Sequence, residues 1–92
     1  MKAIERNGFI LDFKKGDING DKFIDYVYLI GDKPYGDESP FRSNIRLVII
    51  NGYTKRKMII GLKENQGYNP TLFLGDFTGD GVDDVLISIS SG

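Results

Sequence analysis

The chain has 92 residues, 40% of them hydrophobic, and contains neither cysteine nor histidine. That length holds one small domain with a thin core, and the missing side chains exclude disulfides, thiolate or imidazole metal sites and Ser-His catalysis. Twelve basic residues against 13 acidic ones give a formal net charge of -1, so neither nucleic acid nor an anionic membrane is an expected partner.

In chain order, Met1-Lys2-Ala3-Ile4-Glu5-Arg6 is charged and lacks an apolar segment, so it does not read as a signal peptide. No apolar run along the chain reaches the length of a membrane span. Residues 8–13 are short, aromatic and β-rich, and predict a strand. A polar Gly-Asp segment follows, and then a second strand over 26–30. Residues 31–44 hold Pro34, Gly36, Asp37 and Pro40 and predict an exposed loop, the kind of surface on which a rigid scaffold carries binding groups. Residues 45–50 begin with alternation and become apolar on both faces, as in a strand packed between layers. Asn51-Gly52 is a strong hairpin signal, with a return strand over about 56–62. Residues 63–70 read as a second polar loop containing Tyr68, and 71–74 as a short strand. A second Gly-Asp segment leads to a last strand over 85–89. No window sustains a helical period, and 12 glycines punctuate the gaps. The expectation is an all-β domain of antiparallel sheets over residues 1–92.

The two Gly-Asp segments are copies. Gly16 to Ile30 and the segment 59 residues later match at six of fifteen positions: Gly16, Asp17, Gly20, Asp21, Asp25 and Ile30. The repeat copies span approximately 9–62 and 70–92. Ca²⁺ takes six to eight oxygens in a flexible shell, and a loop supplies them when every second residue turns inward. Asp17, Asn19, Asp21, the Phe23 carbonyl and Asp25 have that spacing, as do Asp76, Thr78, Asp80, the Val82 carbonyl and Asp84. Three carboxylates per loop repel at close range, so a cation is expected to order them, giving two Ca²⁺ per chain. The bland reading, that Asp-Gly-Asp clusters merely make turns, has to explain why both copies match at the same three acids. Lys22 stands where the second loop has Gly81, which requires a strained backbone or a different turn. Tyr28 and Ile87 occupy the twelfth positions, where an EF-hand has its bidentate Glu, and the flanks are strand-like, which excludes that motif.

At these loops the chain resembles the FG-GAP/VCBS repeat family, the calcium-loop repeats of integrin-α-type β-propellers. Residues 16–25 match the family pattern except at Lys22, and 75–84 except at Thr78. The resemblance implies propeller blades with strands near Phe9, Tyr26, Ile45 and Met58, and a second, incomplete blade from Thr71 to Ile89. That amounts to about one and a half blades, and so to a fragment of a longer chain, to part of a homo-oligomer, or to strands that form a small sandwich instead. It further implies an extracellular or cell-surface, non-catalytic module whose calcium is structural, with a protein or carbohydrate ligand. The alternative is a metal-dependent enzyme, or an accessory module of one, acting on glycan or phosphate. Tyr35 and Tyr68, in loops, could stack on a sugar or pin their own segments. Lys55-Arg56-Lys57 reads as a solvated hairpin end, or as a contact for phosphate or an acidic glycan.

Overall fold

The computed structural model describes residues 8–91. The charged segment 1–6 lies outside the described residues, as does residue 92 of the terminal Ser90-Ser91-Gly92. Six strands follow one another: β1 (Phe9–Gly16), β2 (Asp25–Asp32), β3 (Phe41–Ile50), β4 (Lys57–Gly61), β5 (Gly67–Gly75) and β6 (Asp84–Ser90). The described residues contain no helix, so the all-β, antiparallel expectation holds.

Strands β1 to β4 form a meander in which every pair is antiparallel. The period-2 alternation of β2 sends Val27 and Leu29 to one face and Tyr26 and Tyr28 to the other. Val27 and Leu29 join Ile45, Leu47 and Leu72 in a fully enclosed cluster, against which Leu74, Val85, Ile87 and Ile89 of the β5–β6 hairpin pack. Tyr26 and Tyr28 instead share the outer face with Phe13, whose ring lies 6.3 and 4.9 Å from theirs. Burying seven apolar side chains at about 1.5–3 kcal/mol each is the main cohesive term in so small a domain.

The long strand β3 divides its partners. Its residues Arg46 to Ile50 pair with β4, while Phe41 and Arg42 pair with Tyr68 and Gly67 of β5. This split lets the β5–β6 hairpin leave the meander and fold back over its apolar face. At its other flank β5 meets β1 through one side chain: the Leu72 N–H donates to Asp12 Oδ2 at 2.8 Å. Asp12 sits at a β-bulge, where the β1–β2 register shifts between Ile10 and Asp12. The carboxylate takes the place of a ladder bond, and no β1–β5 ladder forms among the described residues.

The propeller resemblance is overturned by this topology. The strands lie in a single connected sheet of order β1-β2-β3-β5-β6 with β4 also on β3. That sheet is open, and it is neither closed nor built of radial blades. The physical cause is the run 41–44, expected in a loop. It extends β3 beyond the end of β4, and the exposed edge of that extension accepts β5. The chain is therefore not one and a half blades but one open antiparallel sheet.

Three local expectations also change. The loop read over 31–44 shrinks to 33–40, because β2 runs to Asp32 and β3 starts at Phe41. Residues 67–70 belong to β5, with Pro70 tolerated at a register shift between Tyr68 and Thr71 where Asn69 has φ 48°. The Asn51-Gly52 hairpin is wider than two residues. Asn51 N–H donates to the Arg56 carbonyl and Lys55 N–H to the Asn51 carbonyl, each at 2.9 Å. Asn51 Oδ1 accepts the N–H groups of Tyr53 and Thr54.

Candidate metal site

The loop between β1 and β2 curls because its own short polar side chains replace backbone partners. Asp17 Oδ1 accepts the N–H groups of Asn19 (3.4 Å) and Gly20 (2.8 Å), and its Oδ2 accepts that of Lys22 (3.0 Å). Asn19 Oδ1 accepts the Asp21 N–H at 3.2 Å, and Asp21 Oδ1 that of Phe23 at 2.9 Å. Left-handed backbone at Gly20 (φ 80°) and Lys22 (φ 71°) completes the curl. The loop closes where Gly16 and Asp25 face each other in the β1–β2 ladder.

Asp25 is the anchor. It is only 1% exposed, and a buried carboxylate requires donors. Its Oδ2 accepts the Ile18 N–H at 3.2 Å and its Oδ1 the Gly52 N–H at 2.8 Å. The second bond ties the loop to the β3–β4 turn, 27 residues away. It also explains Gly52: a Cβ there would collide with the Ile24 carbonyl, so the glycine serves close approach and not a tight turn.

One carboxylate oxygen from each of Asp17, Asp21 and Asp25 lies within 4.8 Å of the other two. Oxygens bound to one Ca²⁺ at about 2.3–2.6 Å are separated by at most about 5 Å, so this gathering has the dimensions of a shell. Each oxygen that accepts one N–H keeps a second lone pair. A little desolvation opposes ionisation of Asp17, but the N–H groups of Lys22, Gly20 and Asn19 outweigh it and hold the carboxyl below the usual aspartate value. Asn19 and Phe23 lie between the acids on the same loop, and the exposed Phe23 ring packs against Tyr53 in a tilted pair at 4.7 Å.

The second loop repeats the scaffold. Asp76 Oδ1 accepts the N–H groups of Gly79 and Asp80, and its Oδ2 that of Gly81. The Val82 N–H donates to Asp80 Oδ1 and, as the largest influence there, holds that carboxyl below the usual value. Gly79 and Gly81 have φ 76° and 83°, and Gly75 faces Asp84 in the ladder. The sequence repeat is therefore a structural repeat. Yet the described residues show a three-carboxylate gathering only at the first loop, so the expectation of two equivalent sites is not met by Asp76, Asp80 and Asp84. The reason lies beside the loop. Asp25 is held inward by a turn beyond its neighbouring strand, whereas among the described residues β6 has no strand on its far side. Asp84 is only half-buried and is met by Thr78 Oγ1 at 3.5 Å.

The two loops touch, since the Asp83 N–H donates to the Asp17 carbonyl at 2.8 Å. No sequence signal pointed to that bond. Asp12 and Gly52 were also missed as structural residues, although a lone acid between Leu11 and Phe13 in an apolar strand was a readable signal. Of the two tyrosines expected in loops, Tyr35 lies in the 33–40 loop and Tyr68 in β5, and both pack on Phe41, at 5.7 and 5.3 Å, and so pin their segments. Lys55 to Lys57 are exposed, with the Lys55 ammonium 6.0 Å above the Tyr26 ring.

Over 78 residues, 85% of its length, the chain is 47% identical to a Bacillus subtilis (strain 168) protein described as "Uncharacterized protein YybI". The match spans 29% of that protein. No family model and no solved structure matches the chain. Among the described residues no helix is long and apolar enough to cross a membrane.

Proposed function

We propose that this is a non-catalytic β domain whose first loop binds Ca²⁺ as a structural ion. The observation that carries the reading is the convergence of Asp17, Asp21 and Asp25 within 4.8 Å. Hard carboxylate oxygens in a flexible, glycine-containing loop suit calcium better than magnesium, which demands near-ideal octahedral geometry. The Asn19 side chain and the Phe23 carbonyl complete the donor set. The ion fixes how β1 hands over to β2. Through Asp25 and Gly52 it also steadies the β3–β4 turn. Asp76, Thr78, Asp80, the Val82 carbonyl and Asp84 form a second, weaker calcium loop. Any protein or carbohydrate ligand is met by the surface this scaffold displays.

Calorimetric titration with Ca²⁺ and with Mg²⁺, followed by thermal unfolding with Ca²⁺ and with excess chelator, tests the reading. One site saturating at a hundredfold excess over Kd adds about 2.7 kcal/mol, so chelation is expected to lower the melting temperature clearly. Asp21→Asn is the informative variant, because Asp21 lies on the loop and not in the core. It is expected to weaken calcium binding while leaving the metal-free melting temperature close to wild type. No heat at millimolar Ca²⁺, or a melting temperature indifferent to chelator, would defeat the proposal.

A further inference from the structure

The chain holds the tripeptide Ile-Asn-Gly twice, as Ile18-Asn19-Gly20 in the first Gly-Asp loop and as Ile50-Asn51-Gly52 at the β3–β4 turn. An asparagine followed by glycine is chemically labile. The glycine backbone nitrogen attacks the asparagine Cγ, the new N–Cγ bond closes a succinimide ring, and the Cγ–Nδ2 bond breaks. Nδ2 leaves as ammonia with the proton that the glycine nitrogen gives up. Water then opens the ring at either carbonyl, leaving aspartate, or isoaspartate with the backbone routed through Cγ. Glycine permits the attack because no Cβ crowds its nitrogen. Ring closure also requires the asparagine to swing its Cγ over that nitrogen, so bonds that fix its side chain and backbone slow the reaction.

The two sites share their flanking residues and one contact. The Gly20 N–H donates to Asp17 Oδ1 and the Gly52 N–H to Asp25 Oδ1, each at 2.8 Å. They differ in what restrains the asparagine. Asn51 Oδ1 accepts the N–H groups of Tyr53 and Thr54, both at 2.9 Å. The Asn51 backbone is bonded on both sides, through its N–H to the Arg56 carbonyl and through its carbonyl to the Lys55 N–H. Gly52 is half-buried, and it lies so close to the Ile24 carbonyl that a Cβ there would overlap it. Asn19 and Gly20 are exposed. Asn19 Oδ1 accepts the Asp21 N–H at 3.2 Å. The Asn19 N–H meets Asp17 Oδ1 at 3.4 Å, beyond the usual length of such bonds.

We infer that Asn19 is a site of spontaneous deamidation in the folded domain, whereas the same tripeptide at Asn51 is protected by its turn. Reaction at Asn51 requires the β3–β4 turn to open, and local opening costs free energy. Reaction at Asn19 requires only that an exposed loop flex. The product matters where it forms. Aspartate at position 19 adds a fourth carboxylate to the loop that gathers Asp17, Asp21 and Asp25, which raises their mutual repulsion in the metal-free domain. Isoaspartate lengthens the backbone between Asp17 and Asp21 and breaks the spacing of the acids. Any consequence for calcium rests on the function proposed above. The modification itself does not.

The test is to incubate the 92-residue chain in chelator at one neutral pH, without urea and in urea that unfolds it. Peptide mapping by mass spectrometry follows the gain of about 1 Da at each asparagine. In urea the two sites are expected to react within about threefold of one another, because their neighbours are the same and the fold no longer separates them. Without urea, Asn19 is expected to react at least about tenfold faster than Asn51. Equal rates without urea, a faster Asn51, or an unmodified Asn19 beside a reactive urea control overturns the inference. Added Ca²⁺ is expected to slow Asn19, whose side chain then becomes a donor to the ion. A preference for Asn19 in chelator with no response to Ca²⁺ upholds the inference and counts against the calcium reading alone.

Discussion

Replacing Lys22 by glycine is expected to stabilise the domain, although it removes a side chain. Lys22 has φ 71°, in the left-handed region, where a residue with a Cβ is disfavoured by about 1–2 kcal/mol. Its counterpart Gly81 adopts φ 83° without that strain. The gain is partly offset, because glycine's freedom in the unfolded chain costs about 0.5–1 kcal/mol. The Lys22 side chain is exposed, and the bond from Lys22 to Asp17 Oδ2 is made by the backbone N–H, so glycine keeps it. The net expectation is a gain of about 0.5–1 kcal/mol. In a domain of this size that raises the melting temperature by about 2–8 °C. The reciprocal change, Gly81→Lys, is expected to lower it by a similar amount. Thermal unfolding followed by far-ultraviolet circular dichroism, in chelator so that metal affinity does not enter, reads both. A neutral or destabilising Lys22→Gly beside a destabilising Gly81→Lys would refute the reasoning about backbone strain.

Other outcomes follow from single contacts. Slight burial opposes ionisation of Asp12, but the N–H groups of Leu72 and Phe13 and the Lys14 ammonium outweigh it and hold the carboxyl below its ordinary 3.8. A depressed acid contributes stability that is complete above its unfolded pKa and lost as pH falls through the folded value. Urea unfolding should therefore show a loss below about pH 3.8 that Asp12→Asn reduces. Asp12→Ala, which leaves the part-buried Leu72 N–H unpaired, should cost about 1–3 kcal/mol at neutral pH. Leu29→Ala empties a fully enclosed position and should cost about 2–5 kcal/mol, a loss that urea or thermal denaturation would register as partial or complete unfolding. Gly52→Ala drives a Cβ against the Ile24 carbonyl. It should cost about 1–3 kcal/mol and weaken calcium binding by displacing the N–H that holds Asp25.

Much of this was written locally. The strands over 26–30 and 85–89 rest on short β-branched and aromatic runs, and the loops on side chains that bond their own backbone within a few residues. Such features are legible because cause and effect lie within one stretch of chain. The equivalence of Asp17, Gly20, Asp21 and Asp25 to Asp76, Gly79, Asp80 and Asp84 was likewise plain, and both loops do fold alike. Lys22 was recognisable as the position where the first loop bears strain.

What the loops belong to was decided elsewhere. The curl of each Gly-Asp loop leaves the larger architecture open, because most of the hydrogen bonds that shape it join residues a few positions apart. The choice fell to Phe41 and Arg42, which extend β3 past β4 and pair with β5. It fell also to Asp12, which meets Leu72 across 60 residues. Whether three acids gather depended on a further distant contact. Asp25 has the Gly52 N–H to hold it inward, whereas among the described residues Asp84 is met by Thr78 Oγ1 of its own loop, so near-identical loops differ in readiness for a cation. Local sequence fixes the spacing of ligands along a loop. The neighbour that immobilises the last of them comes from a strand or turn remote in the chain, and only the packed sheet brings it there.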